Sequence, residues 1–379
     1  MSKNVTSDLA AEVETTGGNY PVWVGWGILD DIGKKTKEYL SPSCVYIITD
    51  ESILEHARKV QISMEKSGIA SHMYIVPPGE SSKTLETVQQ IYSWLAGRKA
   101  ERRHLIVAVG GGVIGDMAGF VAATYLRGMP FVQVPTTLLA MMDASIGGKV
   151  AVDLPQGKNL VGAFYQPKFV LSDVETLVSL PERELNSGWA EAIKHGLILD
   201  EDLLGIFENR VDEVRSLDRD IATEIIRKSV AIKANVVSRD ERETLGIRIL
   251  LNYGHTIGHA IESSTGYTKY LHGEAVSIGM MAAAKIGQLA GILREEEVIR
   301  QEDVLKSYGL PVRAQGLVAE EIIEATTSDK KTSDGIVNWV LLNGLGNAVI
   351  DNNIPINHVL DAVNFVIKDV QPSETDGKD

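Results

Sequence analysis

The sequence predicts an α/β N-terminal domain with a mostly parallel, Rossmann-like sheet, followed by an all-α C-terminal domain. Short β-branched runs alternate with amphipathic stretches through the first half, which is typical of a parallel sheet covered by helices. From Arg183 to Ala290 the pattern is helical and contains no proline. The chain of 379 residues is also longer than one ordinary core requires. We therefore predict two domains, residues 1–180 and 181–379.

The predicted elements of the first domain follow one another along the chain. The predicted strands are Tyr20–Val24, Cys44–Thr49, His72–Val76, Leu105–Val109, Phe131–Val134 and Phe169–Ser172, and the predicted helices are Ile53–Ser67, Thr84–Arg98 and Asp116–Tyr125. In the second domain, the late apolar run Val337–Leu342 is compatible with a short strand or a buried helical segment. The polar segment Gln371–Asp379 is predicted to be a disordered tail.

Composition and charge narrow the possible functions. A formal net charge of −14 disfavours nucleic-acid binding, which usually needs a basic domain. Cys44 is the only cysteine, so the sequence predicts no disulfide and fits a reducing compartment. Met1–Gly18 is polar and carries acids, unlike a signal peptide, and no apolar run reaches transmembrane length. These features predict a cytoplasmic protein without nucleic-acid or membrane partners.

A glycine motif follows the fourth predicted strand. Gly110, Gly112 and Gly115 have GxGxxG spacing between Leu105–Val109 and a predicted helix. Glycines at such positions let backbone N–H groups approach a phosphate, whose charge the helix N-terminus stabilises. The alternative is a tight turn that needs glycine only for its backbone geometry. The motif favours a phosphate or dinucleotide site.

The usual dinucleotide pattern is incomplete. No acidic residue follows a second strand about 20 positions on, where the chain reads Phe131–Thr137. Asp50, which ends an earlier strand, is a better candidate for a ribose contact, and Glu80 and Lys83 are candidates for the same side of the site. Charges of surface loops are the alternative. The sequence therefore predicts that a nucleotide binds in a pose that differs from the usual dinucleotide-binding pose.

Three histidines lie within eighteen residues. His255 and His259 are four apart and share one face of a predicted helix, and His272 follows. Imidazoles grouped in this way are typical of a transition-metal site. Zinc proteases carry a glutamate beside the first histidine, whereas Thr256 stands here, so that class is disfavoured. Spacing alone pairs His255 with His259 on a metal; capping or core histidines are the alternative.

Glycine-bearing loops present lysines in this otherwise acidic chain. Asp143–Lys149 and Gln156–Leu160 carry Lys149 and Lys158 between apolar segments, which suggests anion binding. Taken singly, each lysine is more often a solvated surface residue.

The predicted helical half also contains charged candidates. Glu191 and Lys194 have i, i+3 spacing among apolar neighbours, so we expect them to be partly buried and to need a partner or a metal. A surface ion pair is the alternative. Lys233 and Arg248 lie further along, the latter one turn before Asn252.

Five specific motifs resemble those of the 3-dehydroquinate synthase family, and the resemblance runs from about Tyr20 to about Asn347. The motifs are GGGVIGD at Gly110–Asp116, PTTLLAMMDASIGGK at Pro135–Lys149, GKNLVGAFYQP at Gly157–Pro167, WAEAIKHG at Trp189–Gly196 and LNYGHTIGHA at Leu251–Ala260.

The resemblance implies an NAD-dependent metalloenzyme with its active site in a cleft between the α/β and helical domains. It assigns a divalent metal, zinc or cobalt, to Glu191, His255 and His272, and it gives His259 to substrate contact instead. Three protein ligands leave positions open for substrate oxygens. The other implied substrate contacts are Asp143, Lys149, Lys158, Asn159, Lys194, Lys233, Arg248 and Asn252, with either Lys330 or Lys331. The implied NAD contacts are Asp50, Glu80, Lys83, Gly111, Gly112, Asp116, Thr136 and Thr137, joined by Lys149 and Lys158.

The implied substrate is the anionic sugar phosphate 3-deoxy-D-arabino-heptulosonate 7-phosphate, whose carboxylate and phosphate suit the group of lysines and Arg248. The implied reaction is a lyase reaction in which NAD is reduced and then reoxidised within one catalytic cycle. Hydride passes from C5 to NAD, phosphate leaves by β-elimination, the hydride returns, and ring opening and an aldol step give 3-dehydroquinate. The pathway would be the shikimate pathway of aromatic amino acid biosynthesis, and a homodimer is implied as well.

One segment departs from the family pattern, and other functions stay open. Val150–Asp153 stands where many bacterial members read Thr-Gly-x-Asn, next to the implied NAD and substrate loops. Another sugar-phosphate cyclase, acting on glucose 6-phosphate or sedoheptulose 7-phosphate, is one alternative. A metal-dependent polyol dehydrogenase with the same two-domain plan is another. A non-catalytic, nucleotide-binding structural protein is disfavoured, because that function does not explain the lysine loops or the metal ligands.

Overall fold

The computed structural model describes residues 8–328 and 337–367. Contacts group the chain into two compact units, residues 1–188 with 212–248 and residues 189–211 with 249–379. The domain boundary expected near residue 180 stays a prediction.

One mostly parallel sheet forms the centre of the first unit. The strands in this unit's described residues are β1 (Leu9–Val13), β2 (Tyr20–Gly25), β3 (Cys44–Asp50), β4 (Ala70–Val76), β5 (Leu105–Gly110), β6 (Phe131–Pro135), β7 (Lys149–Leu154), β8 (Gly157–Phe164) and β9 (Val170–Asp173). Seven of them form the sheet, in the order β1-β2-β9-β6-β5-β3-β4. Only the pair β1–β2 in this sheet is antiparallel, and β7 and β8 form a separate hairpin.

Helices cover the sheet and make up most of the second unit. Over the described chain they are α1 (Ile32–Tyr39), α2 (Leu54–Lys66), α3 (Leu85–Gly97), α4 (Gly112–Thr124), α5 (Glu182–Leu199), α6 (Glu201–Asn209), α7 (Val211–Arg215), α8 (Arg219–Arg239), α9 (His255–Ser264), α10 (His272–Leu289), α11 (Glu295–Ser307), α12 (Ala319–Ser328) and α13 (Ile356–Ile367). In the first unit, α8 packs against β1, β2 and a short π-helix at Ala140–Ala144.

The core of the first unit lies on both faces of the sheet. Along β5, Leu105, Val107 and Val109 face one buried cluster, whereas Ile106 and Ala108 face the other. Side chains of a strand alternate between faces, so a strand covered on both sides must be apolar throughout. This explains why the continuous β-branched runs predict the strands of this sheet well.

The second unit is built on closely packed glycines. A Cβ at Gly279 in α10 would overlap the carbonyl oxygen of Gly254 and lie 2.7 Å from the nitrogen of Gly258 in α9. The absence of side chains at these positions lets the two helices approach closely. The apolar run Val337–Leu342 contributes β10 (Trp339–Leu342), which pairs with β11 (Ala348–Asp351). No helix within the described ranges has the length and apolar character needed to cross a bilayer.

The predicted fold class is confirmed. All six predicted strands and all three predicted helices of the first half are present, and helices dominate the second half. One helix boundary was wrong, because α4 begins at Gly112 inside the glycine motif and not at Asp116. The strand β1, the hairpin β7–β8 and the helix α1 were not predicted. The segment Gln371–Asp379 lies outside the described residues.

Candidate active site

Three side chains of the second unit bring potential metal ligands together. Glu191 lies in α5, and His255 and His272 are the first residues of α9 and α10. The Oε1 atom of Glu191 is 3.6 Å from Nε2 of His255 and 3.7 Å from Nε2 of His272. One ligand atom from each residue falls within 4.8 Å of the other two. The close packing of α9 on α10 places the two imidazoles on the same carboxylate oxygen.

The spacing of these atoms fits a tetrahedral metal ion. Ligand atoms held about 2.0–2.1 Å from a tetrahedral zinc ion lie about 3.3–3.4 Å apart. The observed separations of 3.6 and 3.7 Å are within a few tenths of an ångström of that value. A carboxylate oxygen and two imidazole nitrogens are also a donor set that zinc and cobalt accept. The residues therefore fit a divalent metal.

Contacts to the far side of each imidazole orient the two histidines. Nδ1 of His255 lies 3.2 Å from the carbonyl oxygen of Tyr253, and Nδ1 of His272 lies 3.3 Å from Oε2 of Glu262. An acceptor at Nδ1 favours a proton on that nitrogen and leaves the lone pair of Nε2 for a metal. Both histidines thus turn their metal-binding nitrogen toward Glu191.

The second oxygen of Glu191 is held by a lysine. Nζ of Lys194 donates a short hydrogen bond to Oε2 of Glu191, and both residues are almost completely buried. A buried carboxylate needs such a partner, because an uncompensated charge in the interior is strongly unfavourable. The contact leaves Oε1 facing the histidines.

The carboxylates of Glu191 and Glu262 favour a positive charge at His272. Burial opposes protonation of His272, but the hydrogen bonds and charges of Glu191 and Glu262 outweigh it and raise the pKa of His272 to about 10. A protonated imidazole adds to the positive charge that Lys194 already places beside Glu191. A divalent cation would supply that charge instead and would displace the proton.

Two groups of potential ligands share His272. The second group consists of His259, Glu262 and His272, whose ligand atoms also lie within 4.8 Å of one another. Within the described part of the chain, His255 and His259 do not occur in the same group of three. The pairing of His255 with His259 that spacing alone suggests is therefore not found, because the two histidines belong to different groups, each of which is completed by His272.

Glu262 was missed by the sequence reasoning, although a signal for it exists. Residues 255, 259 and 262 follow the i, i+4, i+7 pattern of one helix face, which places Glu262 on the same face of α9 as the two histidines. We expect Glu262→Ala to lower zinc affinity by about 10-fold to 100-fold, and Glu262→Gln to have a smaller effect because its amide oxygen can still accept from Nδ1. Competition with a chromophoric chelator would measure this affinity.

The exposed pair of Arg294 and Glu296 provides a control for that prediction, and Glu296→Gln should leave zinc affinity unchanged. Equal zinc affinity in the wild-type protein and Glu262→Ala would show that Glu262 does not orient His272.

The predicted nucleotide residues of the first unit surround the carboxyl ends of adjacent parallel strands. From β3 the chain proceeds to β4 on one side, and from β5 it proceeds to β6 on the other, so a crevice opens between the ends of β3 and β5. Such crevices are the usual ligand sites of open parallel sheets. Asp50 ends β3, Gly111 and Gly112 follow β5, and Thr136 and Thr137 follow β6.

A polar network around the buried Lys83 joins further predicted contacts in this unit. Nζ of Lys83 donates to Oδ2 of Asp116 at 2.7 Å and to Oδ1 of Asn159 at 2.6 Å. Glu80 lies 3.6 Å from Lys83 and 3.8 Å from Lys158. Burial opposes the charge on Lys83, but Asp116 and Glu80 outweigh it and raise the pKa of the ammonium. Predicted NAD and substrate residues thus form one connected network.

The remaining predicted cations of the first unit are paired with carboxylates. Lys233 of α8 donates a short hydrogen bond to Oδ1 of Asp143. Lys149 and Arg248 share one acceptor, since Oε1 of Glu243 lies 2.6 Å from Nζ of Lys149 and 3.2 Å from Nε of Arg248. Glu243 was not among the sequence candidates. These pairs orient the cations.

The segment that departs from the family pattern is part of the core and of a turn. Val150 is 1% exposed, and it packs where a Cβ at Gly119 would overlap its side chain. Oδ1 of Asp153 accepts a 2.7 Å hydrogen bond from the backbone nitrogen of Asn159, whose φ is +56°. Asp153 thus holds the turn from which Asn159 contacts Lys83.

Asn252 ends a short 3₁₀ helix of the second unit, just before His255. Lys330 and Lys331 lie outside the described residues. The roles assigned to individual residues stay predictions.

Comparisons with known proteins give the family. The family model for the 3-dehydroquinate synthase N-terminal region matches residues 73–187, and that for the C-terminal region matches residues 188–332. The 3-dehydroquinate synthase of Microcystis aeruginosa is 44% identical over 339 residues, which cover 89% of this chain and 92% of the relative.

Solved structures agree with this result. A 2-deoxy-scyllo-inosose synthase in complex with carbaglucose-6-phosphate, NAD⁺ and Co²⁺ has a TM-score of 0.83 at 28% identity, over 94% of this chain and all of that one. The 2-epi-5-epi-valiolone synthase of Streptomyces hygroscopicus subsp. jinggangensis, with NAD⁺ and Zn²⁺ bound, has a TM-score of 0.82 at 26% identity, over 92% and 96%. The chain therefore belongs to the 3-dehydroquinate synthase family.

Proposed function

We propose that the chain catalyses the reaction of its family, the conversion of 3-deoxy-D-arabino-heptulosonate 7-phosphate into 3-dehydroquinate and inorganic phosphate. It would act as an NAD- and metal-dependent lyase of aromatic amino acid biosynthesis. The observation that carries the proposal is the position of Oε1 of Glu191, within 3.7 Å of Nε2 of both His255 and His272. Relatives that share most of the chain's length are 3-dehydroquinate synthases.

The metal and the cofactor would supply the chemistry that side chains lack. When bound, the metal supplies a Lewis acid that makes a substrate hydroxyl more acidic, and NAD supplies an acceptor and donor of hydride. Glu191, His255 and His272 would hold the metal, and three protein ligands leave room for substrate oxygens. The crevice at β3 and β5 would hold NAD, with glycine backbone near the pyrophosphate.

The cations would bind the two anionic groups of the substrate. In the first unit Lys149 and Arg248 converge on one oxygen of Glu243, so the two positive charges are already placed to share an anionic oxygen. Nζ of Lys158 lies 3.8 Å from Glu80, and Lys233 holds Asp143. A substrate anion would compete with these carboxylates for the cations. Because the cations are oriented before binding, less side-chain entropy is lost when the substrate arrives.

Substrate orientation would promote the later steps. Aldol closure needs the enol carbon and the ketone of one molecule to meet, and fixing a single conformer contributes strongly to such intramolecular reactions. Charged contacts at both ends of the substrate would restrict it in this way. The substrate phosphate can accept the proton during its own elimination, which lowers the demand for a protein base.

Phosphate release from a panel of sugar phosphates tests the proposal. With NAD and Zn²⁺ or Co²⁺, we expect rapid release from 3-deoxy-D-arabino-heptulosonate 7-phosphate alone, abolished by a chelator and without net NADH. Release from glucose 6-phosphate or sedoheptulose 7-phosphate would identify a different cyclase. Net NADH accumulation on a polyol would identify a dehydrogenase. Absence of phosphate release from the first substrate in metal-replete protein would overturn the proposed reaction.

A homodimer in the cytoplasm completes the proposal. The resemblance to the family supports the dimer, and the single buried thiol of Cys44 supports a reducing compartment. Sedimentation equilibrium of the purified protein would give the mass of a dimer, whereas a monomer mass at micromolar concentration would contradict this part.

A further inference from the structure

The carboxylate of Asp240 organises the loop that follows α8. Asp240 is 2% exposed and accepts four backbone hydrogen bonds from residues 244–248. The nitrogens of Thr244 and Leu245 donate to Oδ1 at 2.9 and 3.1 Å, and those of Ile247 and Arg248 donate to Oδ2 at 3.0 and 3.2 Å. One side chain thus fixes the backbone on both sides of Gly246.

The loop needs such an anchor. Glu243 has a φ of +58°, a left-handed conformation that is unfavourable for a residue other than glycine, and Gly246 has a φ of +77°. The side chain of Leu245 is 69% exposed, so its burial does little to hold the loop. Hydrogen bonds from backbone N–H groups to an ionised carboxylate are stronger than neutral ones. Asp240 therefore offsets the strain at Glu243.

The loop carries two of the charged groups described above. Nη1 of Arg248 donates to the carbonyl oxygen of Glu241 at 3.0 Å, and its Nε lies 3.2 Å from Oε1 of Glu243. The same oxygen accepts from Lys149 at 2.6 Å. The guanidinium lies against Gly147, where a Cβ would come within 2.6 Å of Nη2. A displacement of the loop would move Arg248 and Glu243 together and would release Lys149.

We propose that Asp240 is a positioning residue that holds the 241–248 loop and thereby places Arg248 and Lys149 to bind the substrate anion. This inference rests on the proposed roles of Arg248 and Lys149. Asp240 acts through the backbone, since its carboxylate is committed to four N–H groups. Burial alone would raise the pKa of Asp240, but these hydrogen bonds outweigh it and hold the pKa below its usual range, so the group is ionised at neutral pH.

The test compares Asp240→Asn and Asp240→Ala with a matched control at the other end of α8. Asp218 caps that helix by accepting from the nitrogens of Asp220 and Ile221 at 3.1 Å, so Asp218→Asn alters the same kind of contact away from the loop. For each holoenzyme we would measure kcat, the KM for the sugar phosphate, the Kd for NAD, the metal content and amide hydrogen exchange in residues 244–248.

Asp240→Ala loses all four acceptor contacts, whereas Asp240→Asn keeps one carbonyl oxygen. We expect the KM for the sugar phosphate to rise about tenfold in Asp240→Asn and further in Asp240→Ala, with kcat less affected. The Kd for NAD and the metal content should not change, and amide exchange in residues 244–248 should accelerate. Asp218→Asn should leave KM and this exchange at wild-type values.

Three results would overturn the inference. They are an unchanged KM in both Asp240 variants, an equal rise of KM in Asp218→Asn, or unchanged amide exchange at 244–248 in Asp240→Ala. If the wild-type protein itself released no phosphate, the proposed reaction would fail, whereas the exchange measurement would still decide whether Asp240 holds the loop.

Discussion

Replacement of His272 by alanine removes the bound metal and lowers the rate of phosphate release by about a hundredfold to a thousandfold, because Lewis-acid stabilisation is worth several kcal/mol. His272 belongs to both groups of potential metal ligands that contain a histidine of α9, so neither of these two groups keeps three donors without it. The variant also leaves Glu191 without one of its two imidazole neighbours. Metal analysis of the purified protein and the rate of phosphate release measure the two effects.

His358→Ala is the matched control for His272→Ala. His358 lies in α13 of the same unit and belongs to neither of the two groups that contain His272. Its variant should retain wild-type metal content and turnover. A full equivalent of metal in His272→Ala would rule out the ligand role of this residue.

Replacement of Gly279 by alanine should destabilise the protein by about 3 kcal/mol or more, because the new methyl group has no space between α9 and α10. It would overlap the carbonyl oxygen of Gly254 and crowd the nitrogen of Gly258. Both obstacles are backbone atoms, so the helices themselves must separate. His255 and His272 begin these helices, and we expect metal affinity to fall together with the free energy of unfolding.

Gly205→Ala provides the control for that change. Gly205 lies inside α6, and a Cβ there would meet nothing within 4 Å. Alanine in a helix interior is favoured over glycine by about 0.5–1 kcal/mol, so this variant should be as stable as the wild-type protein or more stable. Urea unfolding of both variants measures the difference. Wild-type stability and metal affinity in Gly279→Ala would contradict the account of how α9 and α10 are held.

The sequence predicts the sheet well because its central strands are buried on both faces. Leu105–Gly110 is apolar throughout, so its pattern is unambiguous. Leu9–Val13 forms an edge strand that contains Glu12 and two alanines, and such a composition does not distinguish a strand from a loop. The helix Ile32–Tyr39 has only eight residues and contains a glycine, so its helical pattern is short and weak.

The site is less predictable because its contacts join residues far apart in sequence. Helical spacing places His255 and His259 on one face, but it contains no information on His272, which starts another helix, or on Glu191. The resemblance to the family supplied those assignments. Glu262 could have been found from its spacing to His255. The contacts of Asp240 could not have been found from the sequence. They depend on a left-handed backbone conformation at Glu243, and glutamate is not a residue type that indicates such a conformation.

The position of the metal tests the central claim most directly. Crystals grown with zinc and NAD, measured at the zinc absorption edge, should show one anomalous peak about 2.0–2.2 Å from Oε1 of Glu191 and from Nε2 of His255 and His272. A peak bound by His259, Glu262 and His272, with Glu191 and His255 uninvolved, would contradict the account.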